Sequence, residues 1–229
     1  AVREYHVAAG MPPDRIFVAY NGVDLTGFYP RQPTGWLHRE LRIDPSAPLI
    51  GAIGQIALRK APDVYLAAAR RVVFERRDVH FLWIGDIFSK KPETVALSRL
   101  FPSGEFLPVQ LLGVRTDVAK IIPELSVLVH PARQEPLGRV LLEGAASGAA
   151  IVATDVGGTR EIFPDESRAC RLVPPNDSES MAAAILELLS DPAERERLSI
   201  GARSRAEAVF NIESTAVQFV EHCRATLDI

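Results

Sequence analysis

The sequence predicts a doubly wound α/β fold, a parallel sheet covered on both faces by helices. Three observations predict it. From residue 48 onward, short β-branched runs alternate with longer helical ones. Most of the short runs are nearly continuously apolar, as strands buried on both faces must be. Each intervening segment beyond residue 54 is long enough to act as a crossover between parallel strands. At 229 residues and 47% hydrophobic content, the chain can bury a proper core in one large domain or two small ones.

In order, the expected strands are LIGAIG (49–54), VHFLWIG (79–85), QLLGV (110–114), SVLVHP (126–131), AIVATD (150–155) and CRLVP (170–174). The expected helices between and after them cover about 62–77, 92–101, 117–124, 137–147 and 178–190. The tail is helical throughout. Asp191 is placed as an N-cap with Pro192 at the first helical position. Ala216, Val220, Cys223 and Leu227 recur at helical spacing, giving an apolar stripe that must cover something. Residues 1–47 differ from the rest. A short helix leads through Pro12-Pro13 to an expected strand, RIFVAY (15–20), and then to Asn21-Gly22. Asn-Gly suits a hairpin turn, but the loop-like LTGFYPRQPTGW that follows favours a linker. The expected division is therefore 1–47 as the end of a preceding domain and a linker, 48–210 as the main domain, and 211–229 as a final crossing helix.

Composition excludes several functions. A net charge of −3 supplies no basic field for nucleic acid. No run approaches the ~20 apolar residues of a membrane helix. The two cysteines, Cys170 and Cys223, have neither metal spacing nor a disulfide framework and read as buried thiols of a reducing compartment. The opening AVREYHVAAG has no initiator Met and no signal-peptide core, as expected for the interior of a longer protein.

Ligands of open parallel sheets sit beyond the carboxyl ends of the strands, which narrows the search to a few loops. After the first strand comes Gly54-Gln55-Ile56-Ala57-Leu58-Arg59-Lys60. A full G-x-G-x-x-G is absent, and Asp86 is the nearest candidate for a ribose-binding acid, so a nicotinamide dehydrogenase is disfavoured. Arg59 and Lys60 can meet a diphosphate; they can equally be a solvated surface pair. The fourth strand ends in His130-Pro131, and a segment bounded by two acids follows: QEPLGRVLLEGAASGAAIVATDVGG, residues 134–158. Pro136 suits a first helical turn, and Gly138 lets backbone approach a ligand. Glu135 can cap the helix or guard an anion site at its mouth. Glu143 lies eight positions on, roughly 80° further round the helix. It is either an exposed-face residue or an acid turned inward to accept hydrogen bonds from a polyol. His130 either lines the cleft or is a satisfied structural histidine.

Taken in order and spacing, YNGVDLTGFYP, GAIGQIALRKAPDVYLAAAR, LLGVRTDVAKII and VHPARQEPLGRVLLEGAASGAAIVATDVGGTREI resemble the C-terminal half of GT-B glycosyltransferases. They are similar in particular to the large retaining family called group 1 or family four. The resemblance covers about residues 10–225, and the E-x7-E segment with VATDVGGTREI is its most specific part. It implies a Rossmann-like domain that binds a UDP-, GDP- or ADP-sugar donor, with no metal and no other cofactor. Position by position, it implies that Glu135 holds sugar hydroxyls and stabilises positive charge at the anomeric carbon. Lys60 neutralises the leaving diphosphate, and Leu137 and Gly138 present backbone amides. Glu143 holds the ribose, and Val114-Arg115 lies beside the base. The chain departs from the family pattern at three places: Gln55 stands for the usual Arg, Ala61 for the Gly after the lysine, and Leu137 for an aromatic. Arg59 or Arg139 is expected to supply the charge that Gln55 lacks.

The resemblance further implies an acceptor glycan, lipid or small molecule held by an N-terminal domain outside this chain. It also implies a cytoplasmic enzyme whose membrane contact, if any, is peripheral and made by that other half. The isolated chain is expected to bind nucleotide diphosphates weakly and to transfer no sugar. The alternatives are a nucleotide-sugar epimerase or a phosphorylase on the same fold, or a non-catalytic nucleotide-binding module.

Overall fold

The computed structural model describes residues 2–87, 99–100 and 107–227. In chain order its elements are α1 (Val2–Ala8), α2 (Trp36–Leu41), β1 (Leu49–Ile53), α3 (Pro62–Glu75), β2 (His80–Ile84), β3 (Val109–Leu111), α4 (Val118–Ile121), β4 (Val127–His130) and α5 (Arg139–Ala146). They continue with β5 (Ile151–Thr154), α6 (Thr159–Ile162), β6 (Arg171–Val173), α7 (Ser178–Ser190), α8 (Pro192–Val209) and α9 (Ile212–Leu227).

The strands form a six-stranded sheet in the order β3-β2-β1-β4-β5-β6, with every pairing parallel. The direction of winding reverses between β1 and β4, so the loops leaving these two central strands face one crevice. Strand alternation divides the core. Ile50, Ala52, Phe81, Trp83, Val127, Val129 and Val152 point to one face, where α3 and α7 cover them with Tyr65, Met181, Ile185 and Leu188. Leu128, Ile151 and Ala153 point to the other, against Leu141, Leu142, Phe163, Ala202 and Phe210. Each large side chain buried this way removes enough apolar surface from water for about 1.5–3 kcal/mol.

The helix starts follow local chemistry. Asp177 caps α7 by accepting from the amides of Glu179 and Ser180 at 3.1 and 2.9 Å. Asp191 caps α8 through Glu194 N–H at 3.0 Å, with Pro192 in the first turn, as the sequence predicts. The sixth strand and α7 also fall where expected.

Other expectations change. RIFVAY (15–20) does not join the sheet. A 3-10 turn covers Pro13–Arg15, no strand follows, and the first pairing is a lone parallel bridge from Val23 to Asn211. Residue-level β propensity cannot make a strand without a neighbouring edge to bond. Within the segment expected as linker, Trp36 begins α2. Leu37 of α2 is fully buried against Leu49, Leu82 and Ile121, and Val23 and Ala47 are buried as well. The helix expected at 92–101 lies outside the described residues apart from 99–100, which form a turn. The helix expected from 137 starts at Arg139, leaving Pro136 in the preceding loop. A short helix, α6, follows Gly157-Gly158, where none was expected.

The last helix has no buried residue. Of the stripe Ala216, Val220, Cys223 and Leu227, Cys223 is half-buried and the other three are exposed, Val220 at 46% and Leu227 at 65%. Contact with the rest of the chain includes a stacked Phe17–His222 pair at 3.6 Å. Both cysteines are free. Burial pushes the Cys170 thiol well up, out of the reactive range. No helix among the described residues is long and apolar enough to cross a membrane.

Candidate active site

Two loops build the site, one from each strand flanking the reversal point. The loop after β1 turns into a 3-10 turn, Leu58–Lys60, before α3 begins. Its path is fixed from both sides. On one side, Ile56 N–H donates to Asp86 O at 3.0 Å, and Trp83 Nε1 donates to Gly54 O at 2.9 Å. On the other, the loop after β4 reads it directly: Arg133 and Gln134 N–H donate to Arg59 O at 2.8 and 3.3 Å. The Arg133 guanidinium reinforces this docking, with a bidentate pair to Asp63 at 2.8 and 2.5 Å and a bond to Leu58 O at 2.9 Å. Arg133 and Asp63 were not singled out from the sequence. Their role is legible only once two segments 70 residues apart are seen to touch.

This docking brings Lys60 and Glu135 together. Lys60 Nζ donates to Glu135 Oε2, and both side chains are nearly enclosed, at 12% and 10% exposure. Arg59 Nη1 lies 3.9 Å from the same oxygen but is half exposed, and His130 Nε2 lies 3.4 Å from it. Burial alone would raise the Glu135 carboxyl. The facing imidazole of His130 and the hydrogen bond and charge of Lys60 overcome it and hold the group at about 2, below its ordinary 4.5. Burial pushes the His130 imidazole down despite Glu135, with Lys60 and Arg59 adding to the effect. The pair is thus a carboxylate and a cation beside a neutral histidine.

Glu135 does not cap the helix. The N-cap of α5 is Gly138, at φ +90°, with no side-chain cap. Glu135 instead sits in the bend before it, and the paired glycines after β5 explain how that bend closes. Gly158 N–H donates to Glu135 O at 3.1 Å. A Cβ on Gly157 would fall 1.9 Å from that same oxygen, and one on Gly158 would fall 2.2 Å from Pro136 O. Only glycine lets the β5 loop press flat against the backbone that carries the acid.

The remaining candidates occupy several surroundings. Leu137 and Pro136 line a 390 Å³ cavity with Phe17, Tyr20 and part of α1, which Lys60 and Glu135 do not line. Gln55 is half buried in the bend after β1. Arg139 is 79% exposed and reaches Glu143 at 3.6 Å. Glu143 is 18% exposed on α5, and burial raises its carboxyl while Arg139 pulls it down less strongly. Because Glu135 lies off the helix, the two acids are not related by the helical angle expected from their spacing. Arg115 lies on the loop beyond β3, paired with Glu40 at 2.5 Å and with Asp117 at 2.8 and 2.7 Å. It pairs with these two carboxylates rather than with the Lys60–Glu135 pair. The loop reaches the central crevice through backbone: Gly85 N–H donates to Gly113 O at 2.8 Å, and Gly54 N–H donates to Ile84 O at 2.8 Å.

Known proteins resemble this chain in sequence and fold. The sequence profile of the family described as Glycosyl transferases group 1 matches residues 47–191. An alpha-maltose-1-phosphate synthase of Mycolicibacterium smegmatis is 30% identical over 228 residues, covering 92% of this chain and 57% of the relative. A D-inositol 3-phosphate glycosyltransferase of Segniliparus rotundus is 31% identical, covering 94% of this chain and 48% of the relative. This chain thus spans about half the length of these curated relatives. The crystal structure of Anabaena Alr3699/HepE in complex with UDP-glucose superposes with a TM-score of 0.85 at 22% identity, covering 97% of this chain and 61% of that one. At that identity the likeness establishes the fold.

Proposed function

The chain belongs to the group 1 glycosyl transferases, and from that membership we propose that it is the donor-binding half of a retaining hexosyltransferase. The donor is a nucleoside diphosphate sugar, and an N-terminal domain outside this chain holds the acceptor. One observation carries the proposal. Lys60 and Glu135, from the two central strand ends, meet as a nearly enclosed cation and carboxylate at the point where the sheet reverses its winding.

In the proposed reaction the donor diphosphate lies between the β1 loop and the start of α5. Lys60, with Arg59 beside it, neutralises the leaving diphosphate as charge develops. The backbone amides of Leu137 and Gly138 face the sugar or its phosphate, and the α5 macrodipole favours the anion. These cations and amides are proposed to do the work without a metal. Glu135 holds the sugar hydroxyls and faces the positive charge that grows at the anomeric carbon. The acceptor enters on the face the diphosphate leaves, and a leaving-phosphate oxygen takes its proton, so configuration is retained. Glu143 accepts from the ribose hydroxyls, in keeping with a half-buried carboxylate that faces an exposed arginine, Arg139, at 3.6 Å. Gln55 removes a cation from the pattern of the family, and Arg59 is the nearest replacement. Relatives and neighbours whose names include UDP-glucose complexes and sugar-phosphate synthases support this donor class.

The test is Glu135→Gln in the full-length protein, with calorimetric titration of UDP, GDP and ADP against both forms. We expect turnover to fall by about 10²–10³-fold, with binding of the preferred nucleotide kept or tightened because Lys60 is released from its partner. Loss of nucleotide binding in parallel with turnover would overturn the assignment of Glu135 to the sugar. Unchanged turnover would overturn a catalytic role for Glu135, and nucleotide binding by an unmutated protein with no turnover at all would favour a non-catalytic nucleotide-binding module.

A further inference from the structure

His130 is a buried titratable group beside the site for which the proposed reaction has no use. It ends β4, it is 2% exposed, and its Nε2 is enclosed without a hydrogen-bond partner of good geometry. Buried ring nitrogens are rarely left so without a reason. The acceptor facing it is Glu135 Oε2, 3.4 Å away and occupied by Lys60.

We propose, resting on the donor-site assignment above, that His130 is a positioning residue that takes over the Glu135 carboxylate when a bound diphosphate draws Lys60 away. A diphosphate carries more charge than one carboxylate and competes for the same ammonium group. Once Lys60 turns to it, the cationic neighbour left to Glu135 among the described residues is Arg59, half exposed and 3.9 Å off. A shift of about 0.5 Å then brings Oε2 from 3.4 Å into ordinary hydrogen-bond range of His130 Nε2.

The histidine is placed to hold the acid still. It pairs in register with Ala153 of β5, and Thr154 Oγ1 donates to its carbonyl at 3.3 Å, so its backbone belongs to the rigid sheet. The charged groups facing it are Lys60 and Arg59 from the β1 loop and Glu135 from its own. Burial and the two cations keep the ring neutral, and in its Nε2–H tautomer it donates without adding charge. The carboxylate thus stays ionised and aimed at the sugar through the step in which its first partner is engaged elsewhere.

The experiment compares His130→Leu with His130→Gln in the full-length protein, since Gln offers an amide N–H close to the position of Nε2. Binding of UDP, GDP and ADP is measured by titration, and kcat for release of glucose from the glucosyl conjugate of the preferred nucleotide is measured across pH. His130→Leu is expected to lower kcat by about 10–100-fold while the nucleotide Kd stays within about twofold. Its acidic limb is expected to move up by about one pH unit, because Glu135 then protonates more readily. His130→Gln is expected to restore most of the rate and the limb. A Leu variant with wild-type kcat and pH limb overturns the inference, as does a Gln variant as impaired as Leu with nucleotide binding intact. If Leu does not fold, His130→Asn, whose amide stops short at the δ position, replaces it with the same expected losses. A wild-type protein that binds none of the three nucleotides overturns the donor-site assignment itself, and the inference falls with it.

Discussion

Replacing Gly157 with alanine tests how the site is held. Gly157 has φ +52°, so any side chain there adopts a left-handed conformation at about 1 kcal/mol. That cost is shared by Gly113, at φ +67°, so Gly113→Ala is the matched control. The two differ in what the new methyl meets. Nothing lies within 4 Å of a Cβ at Gly113, whereas at Gly157 it falls 1.9 Å from Glu135 O and 2.9 Å from its carbonyl carbon. Real Cβ contacts essentially never come below 3.0 Å, so the Glu135 backbone must retreat by about 1.1 Å. Forcing backbone apart in a packed region costs about 1–3 kcal/mol. Gly157→Ala is thus expected to lose about 2–4 kcal/mol in urea denaturation and Gly113→Ala about 1. The functional consequence is sharper still. An ångström of displacement in a group that positions substrate costs about 10²-fold in rate, so on the proposed function the full-length Gly157→Ala protein should release sugar about 100-fold more slowly at a temperature where it remains folded, and Gly113→Ala at near the wild-type rate. Equal stability losses in the two variants, or full turnover in Gly157→Ala, would refute the claim that Gly157 seats the acid.

Two further outcomes follow from the structure. Tyr65, fully buried, donates to Ile50 O at 2.9 Å and contacts Leu82 O at 3.1 Å, tying α3 to β1 and β2; Tyr65→Phe is expected to cost about 1–2 kcal/mol in a thermal or urea melt without altering nucleotide affinity. The Glu135 carboxyl, held at about 2 instead of 4.5, contributes stability that is complete above its unfolded value and is lost as pH falls toward 2. Lys60→Met removes one of the groups that hold it down, so urea stability measured at about pH 5, 4 and 3 should decline less steeply than in wild type, by up to about 1.4 kcal/mol per pH unit. Parallel slopes would show that the pair is not formed in solution.

Much was legible in the residues alone because it is local or periodic. The β-branched runs at 127–130 and 151–154, the cap at Asp191, and the stretch from Glu135 to Glu143 each announce themselves within a few positions. Where the signal depended on a distant partner, it misled or fell silent. RIFVAY has strand composition but no free edge to join, and Trp36–Leu41 looked like linker because what makes it helical is the pocket for Leu37 among Leu49, Leu82 and Ile121. The helical angle between Glu135 and Glu143 failed for a similar reason: the helix starts late, at Arg139, and the bend before it is shaped by Gly157 and Gly158 from the next loop.

By itself, then, the order of residues determined the class of fold and the parallel sheet, since hydrophobic period is a property of a line, and its resemblance to a family pointed to Glu135 and Lys60 as candidates. Only the folded chain decided that Lys60 donates to a carboxylate oxygen of Glu135, that Arg133 and Asp63 clamp their loops, and that His130 waits 3.4 Å behind the acid. Those contacts join residues 70 or more positions apart or depend on where a strand ends, and at the nearly enclosed Lys60–Glu135 pair burial strengthens them.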